Sequence, residues 1–125
     1  MEDRAKAIIE KMNREGGYPW LWKEILAHKD PEFTEKYHEM AMYLFHERKA
    51  LPLKFKEILA VCLDAVQFYE GGFRVHLRNA LRAGATVDEI MEALELTTLL
   101  GMHTVAVFMP ALEEELKAQE VAKKK

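Results

Sequence analysis

Helix breakers are scarce in this chain, and their positions constrain its fold more than any other feature. Six glycines and four prolines are spread over 125 residues. No strand-like alternation of apolar and polar residues persists anywhere. Apolar residues recur instead at the three-to-four spacing of helices buried on one side. The expected fold class is therefore all-α, an array of about six helices. One domain is expected over 1–125, with N-terminal helices over 3–49 and a core region over 53–112.

The breakers and caps divide the chain. A short helix over 3–14 carries Ala7, Ile8 and Met12 among charges and stops at Gly16-Gly17. Pro19 suits the first turn of a helix reaching about His28. Asp30-Pro31-Glu32 reads as an N-cap, an N1 proline and a first-turn acid. The helix it opens runs through Phe33, Tyr37, Met40, Leu44 and Phe45 and breaks near Leu51-Pro52. A helix over 53–69 has its apolar stripe at Phe55, Ile58, Leu59, Cys62, Ala65, Val66 and Tyr69. Val61, Leu63 and Phe68 lie off that stripe and are apolar too, which makes this helix central. Glu70-Gly71-Gly72 is expected to turn the chain into a helix over 73–83. Phe73, His76, Leu77, Ala80 and Leu81 share one face of it, and Arg74, Arg78 and Arg82 the other. Gly84 stops it, and Thr86-x-x-Glu89 is a capping box for the next helix, which continues to Met109. Pro110 is expected to kink or restart that helix, and the tail beyond Glu113 to fray.

Composition removes several classes of function. Half the residues are hydrophobic and 31% are charged, the balance of a globular protein. Lys and Arg number 18 against 21 Asp and Glu, so no basic excess suggests nucleic acid or an anionic membrane. The single cysteine, Cys62, cannot form an internal disulfide, a CxxC pair or a thiolate zinc cage. Met1-Glu2-Asp3-Arg4 is charged and precedes no apolar run, so a cytoplasmic location is expected. Leu96–Leu112 contains no acid, Lys or Arg, but it lacks flanking anchors and includes Thr97, Thr98, Gly101, His103, Thr104 and Pro110. It reads as a buried helix rather than a membrane span.

The segment Leu53–Leu94 resembles the carboxymuconolactone decarboxylase family. The resemblance is carried by Lys56-Glu57-Ile58-Leu59-Ala60-Val61, by the run from His76-Leu77-Arg78-Asn79 through Ala85-Thr86, and by Val87–Leu94. Asp30-Pro31-Glu32-Phe33 and Pro110-Ala111-Leu112 fit the same pattern. The resemblance implies an AhpD-like helical fold that assembles into trimers or hexamers. One branch of the family decarboxylates a lactone acid. The other, the alkylhydroperoxidase branch, uses a Glu, two cysteines of a CxxC and a His. Carried onto this sequence, that pattern falls on Glu57, Tyr69, Gly72 and His76. The Glu and His match and both thiols are absent. Peroxide reduction by that route needs a thiolate and a resolving thiol, so the thiol chemistry does not carry over.

His76 and Glu57 are accordingly the candidate catalytic residues. A neutral imidazole in the first turn after Gly71-Gly72 is suited to proton transfer. The alternative is a core histidine held by one hydrogen bond. Glu57 is either its partner or a solvent-facing acid, on the side of its helix shared with Val61, Asp64 and Phe68. A simple hairpin leaves the two residues roughly 12 Å apart in height, at about 1.5 Å per residue, so their pairing needs inclined helices, a water chain or another subunit. Cys62 is expected to be a small buried hydrophobe. His103 is either a second polar group of the pocket or a buried residue near a subunit contact. His38, Glu39 and His46 have no metal spacing and are expected on a solvated helix face. Arg74, Arg78 and Arg82 are read as surface or subunit contacts, and Tyr18, Trp20 and Trp22 as packing a helix edge. No metal or organic cofactor is expected. The expected substrate is a small organic acid or lactone. The helices over 53–69 and 87–109 are more apolar than a chain of this length can cover, which points to a homo-oligomer.

Overall fold

The computed structural model describes residues 2–15 and 20–124, without the side chain of residue 104. The expected stop at Gly16-Gly17 and the roles given to Tyr18 and Pro19 lie outside the described residues. The described chain is all-α, with seven α-helices and one π-helical turn and no strand. It forms two compact units, Met1–Leu53 and Lys54–Lys125.

The first unit holds α1 (Glu2–Arg14), α2 (Leu21–Lys29), α3 (Pro31–Met42) and the π-helical turn Tyr43–Glu47. Ala5, Ile8 and Met12 of α1 repeat at helical spacing and close a small core with Ala27 of α2. Asp30 caps α3 as expected: its Oδ1 accepts from the Phe33 amide at 3.0 Å, and Pro31 occupies the first turn. An Arg4–Glu35 pair, 2.6 Å at its shorter contact, ties α1 to α3 at the surface. Trp22 meets Tyr37 edge-on, so it packs a helix edge.

The second unit holds α4 (Leu53–Val66), α5 (Glu70–Arg82), α6 (Val87–Leu100) and α7 (His103–Lys124). Its core joins Val61, Ala80, Ala85 and Ile90, with Ile58, Phe73, Leu77 and Leu94 against it. Thr86 caps α6 by accepting from the Glu89 amide at 3.1 Å. The Glu89 carboxylate goes to Lys54 at 3.1 Å instead of back to the cap. Gly84, at φ +95°, ends α5 in a Schellman turn, with Ala85 N–H on Ala80 C=O and Gly84 N–H on Leu81 C=O.

Four expectations are corrected here. The turn after α4 falls at Gln67–Tyr69, and Gly71-Gly72 lie inside α5. This turn is also a Schellman motif, with Tyr69 N–H on Asp64 C=O and Phe68 N–H on Ala65 C=O. Phe68, at φ 54°, takes the left-handed position that Gly84 fills in the other turn. Second, the fully buried residues of α4 are Glu57 and Val61; of the expected stripe, Ile58, Cys62 and Ala65 are half-buried, with Ile58 against the core, and Phe55, Leu59, Val66 and Tyr69 are exposed. Third, the helix opened by Thr86 ends at Leu100. The hydroxyls of Thr97 and Thr98 bond back to Leu94 and Glu95 carbonyls in its last turn, and Gly101 follows. Pro110 sits inside α7, and the helix runs on to Lys124 without fraying. Fourth, no described residue of α7 is buried; Val105, Phe108, Met109 and Leu112 are exposed because α7 lays no face on the unit's core. The helical stretch Val87–Lys124 is long and apolar enough, by length and composition alone, to cross a membrane.

Candidate functional site

Glu57 lies in the second turn of α4 and is 6% exposed. A carboxylate that deep is costly unless its oxygens are hydrogen-bonded. His76 supplies the bond: its Nδ1 lies 2.7 Å from Glu57 Oε2. A carboxylate only accepts, so Nδ1 carries the proton and Nε2 faces the other way. The His76 side chain keeps 28% of its surface exposed, four times the 7% of its Glu57 partner. The carboxylate is hidden and the imidazole is accessible.

The expected height gap closes without water or a second subunit. α4 ends at Val66 and α5 begins at Glu70. Glu57 then lies about 13.5 Å below the end of α4 and His76 about 9 Å into α5, at about 1.5 Å per residue. The remaining difference of about 4.5 Å is within reach of two side chains. The same boundary moves His76 to the seventh residue of α5, beyond the first turn where the helix dipole acts. Its environment is set by side chains instead.

Asp64 is the residue that sequence reasoning passed over. It stands seven positions after Glu57 on the same face of α4, and its Oδ2 lies 3.9 Å from His76 Nε2. That i, i+7 spacing was the available signal. The imidazole thus has a carboxylate on each nitrogen side. Gly72 supports this placement. A Cβ there would overlap the Asp64 carboxylate and come within 2.7 Å of the Tyr69 ring. The position at which the resemblance puts a second thiol is therefore occupied by the packing of Asp64 and Tyr69.

The other candidates separate clearly. Cys62 is part-exposed rather than buried, and desolvation raises its thiol above the ordinary range. A raised thiol is a poor nucleophile. His103 is exposed at the start of α7, not buried. Arg74, Arg78 and Arg82 are exposed, as expected, and Arg74 pairs with Glu70 at 2.7 Å. Glu39 and His46 are exposed, but His38 is not on a solvated face. It is buried, and its Nε2–H donates to Glu15 Oε2 at 2.7 Å. No group of three or more His, Cys, Asp or Glu able to hold a metal occurs among the described residues.

The profile of the carboxymuconolactone decarboxylase family matches residues 31–123. The chain belongs to that family. Two solved family structures, both from Burkholderia xenovorans LB400, share its architecture. One, described as a proposed γ-carboxymuconolactone decarboxylase subunit, is 31% identical over 95% of this chain, with a TM-score of 0.70. The chain spans about half of that protein, 48% of its length. The other, described as a proposed carboxymuconolactone decarboxylase, is 28% identical over 94% of this chain and 97% of its own, with a TM-score of 0.67. Comparison with curated proteins gives no match. The family match covers α3 to α7 and so includes Glu57, Asp64 and His76.

Proposed function

We propose that the protein performs acid–base chemistry, decarboxylation or proton transfer, on a small organic acid or lactone. The observation that carries this reading is the 2.7 Å bond from His76 Nδ1 to the buried Glu57. It fixes one tautomer and orients Nε2 to exchange a proton. In a decarboxylation the carbon–carboxylate bond breaks, and its electron pair delocalises into the lactone carbonyl. The carbon then takes a proton from the imidazolium of His76, which recovers one from water. Glu57 steadies the charged ring and does not itself touch substrate.

γ-Carboxymuconolactone, from the name of a family relative, is the first substrate to try. The assay is CO₂ release by the purified protein. His76→Ala should lower the rate about 100-fold or more. An unchanged rate in that variant refutes the assignment.

The alternative is a relative of the alkylhydroperoxidase branch without the CxxC thiols, or a non-catalytic oligomeric binding protein. The raised Cys62 thiol speaks against the first. Hydroperoxide consumption that disappears in Cys62→Ser would reinstate it. The exposed apolar residues of α7 favour a homo-oligomer, a trimer or a hexamer, whichever chemistry holds. Light scattering should give three or six times 14.5 kDa. No nucleic-acid or membrane partner is proposed, and a cytoplasmic location suits a small helical chain of balanced charge.

A further inference from the structure

The second unit exposes two charged rows of opposite sign, and one of them borders an apolar seam left off the unit's core. On α7 the seam is Val105, Met109, Leu112 and Leu116, which are 46%, 51%, 49% and 50% exposed. Their spacing of four, three and four is that of a helix that packs along another helix. Acids border the seam on both sides, Glu113 and Glu120 on one and Glu115 on the other. On α5, Arg74, Arg78 and Arg82 form an exposed row at every fourth position, and Leu81 beside them is 46% exposed. We propose that the seam of α7 docks on the arginine row of α5 in a second copy of this chain. The inference rests on the homo-oligomer reading and names the two surfaces that meet.

Charge selects the occupant. Two α7 helices side by side would set Glu115 against Glu120 if parallel, and Glu115 against Glu115 if antiparallel. The flanking charges are alike in either direction, so α7 is a poor partner for itself. An anionic surface is repelled by the same acids. The row on α5 has the opposite sign. Glu70 neutralises Arg74 at 2.7 Å, while Arg78 gives its Nε–H to the Arg74 carbonyl at 3.2 Å. Among the described residues no carboxylate pairs with Arg78 or Arg82. The lengths also agree: at about 1.5 Å per residue, Arg74 to Arg82 spans about 12 Å and Glu113 to Glu120 about 10.5 Å. Leu81, one turn from Arg78, gives the seam an apolar contact inside the charged border. The contact joins two different surfaces, so it runs from copy to copy and closes when the copies form a ring.

The test is a charge swap on the full chain. Light scattering over a dilution series gives the dissociation constant of the native assembly. Arg78→Glu with Arg82→Glu should raise that constant about 100-fold or more, and so should Glu115→Lys with Glu120→Lys. All four changes in one chain exchange the signs and should recover most of the loss. The four side chains are exposed, so helix content by circular dichroism should stay the same. A second measurement keeps the charges in place. Arg78→Lys supplies an amine, and a carbodiimide should join it to a carboxylate of α7 in another copy, read by mass in a mixture of light and heavy-nitrogen chains. An assembly insensitive to both reversals, or not recovered by the combined variant, overturns the pairing and leaves the homo-oligomer reading standing. So does a cross-linked assembly with no bond between α5 and α7 of different copies. A native chain that is monomeric at every concentration overturns both.

Discussion

Among the described residues are two histidine–glutamate pairs of the same length and opposite burial. His38 Nε2 meets Glu15 at 2.7 Å in the first unit, and His76 Nδ1 meets Glu57 at 2.7 Å in the second. In the first pair the imidazole is 7% exposed and the carboxylate 36%. In the second the order is reversed. A buried imidazole tethered to a solvated acid is a strut: it joins the end of α1 to the middle of α3. A buried carboxylate that orients an accessible imidazole suits the proton transfer proposed for His76. Bond length does not distinguish the two, and burial does.

The comparison can be broken by mutation. His76→Ala should cost the most, about 100-fold or more in turnover, and should also lower the melting temperature, because the buried Glu57 carboxylate loses the hydrogen bond that offsets its burial. His38→Ala should cost stability alone. It removes a charge-assisted hydrogen bond at a buried position, about 1.5–3 kcal/mol of stability, read as a lower urea midpoint, with activity per folded molecule unchanged. If His38→Ala abolishes turnover in protein that is still folded, the contrast fails.

The two Schellman turns sharpen it on a smaller scale. Phe68 holds a left-handed conformation that Gly84 holds at no steric cost. Because Phe68 is 93% exposed, Phe68→Gly gives up little packing. It should stabilise the protein by about 1 kcal/mol, and Gly84→Ala should destabilise it by about the same amount. Both are read by denaturant unfolding.

The smallest effect belongs to pH. The hydrogen bond from His38 holds Glu15 below the ordinary glutamate range. A carboxylate with a depressed folded value adds stability above its unfolded value and loses it as pH falls through the folded one. The melting temperature should therefore decline as the pH is lowered through the acid range. Glu15→Gln should flatten that decline, and a parallel curve would show that the strut has no electrostatic component.

How much was legible follows from the range of each interaction. The caps at Asp30 and Thr86 and the stop at Gly84 were readable because donor and acceptor lie within five positions of each other. The turn between α4 and α5 was misplaced at Gly71-Gly72. Gly72 is a glycine for a tertiary reason, the close approach of Asp64 and Tyr69, and not because the chain turns there. A turn at Gly71-Gly72 would start α5 about one turn later and leave the height gap between Glu57 and His76 that the actual boundary closes. The sequence around His38 points to solvent because nothing local marks its partner, which lies 23 positions away. The site itself was half legible: the resemblance pointed to Glu57 and His76, while Asp64 emerged only from the packing of α4 on α5.

The sequence by itself determined that the chain is helical, where most helices begin, and that the two thiols of the peroxidase pattern are absent. Those properties depend on neighbours three to five residues apart or on composition. Which face of α4 is buried, which histidine is accessible, and that one imidazole stands between two carboxylates were decided only by tertiary structure. Residues 19 positions apart meet according to where helices end and how they pack, and a one-turn change in a boundary moves a side chain by about 5 Å.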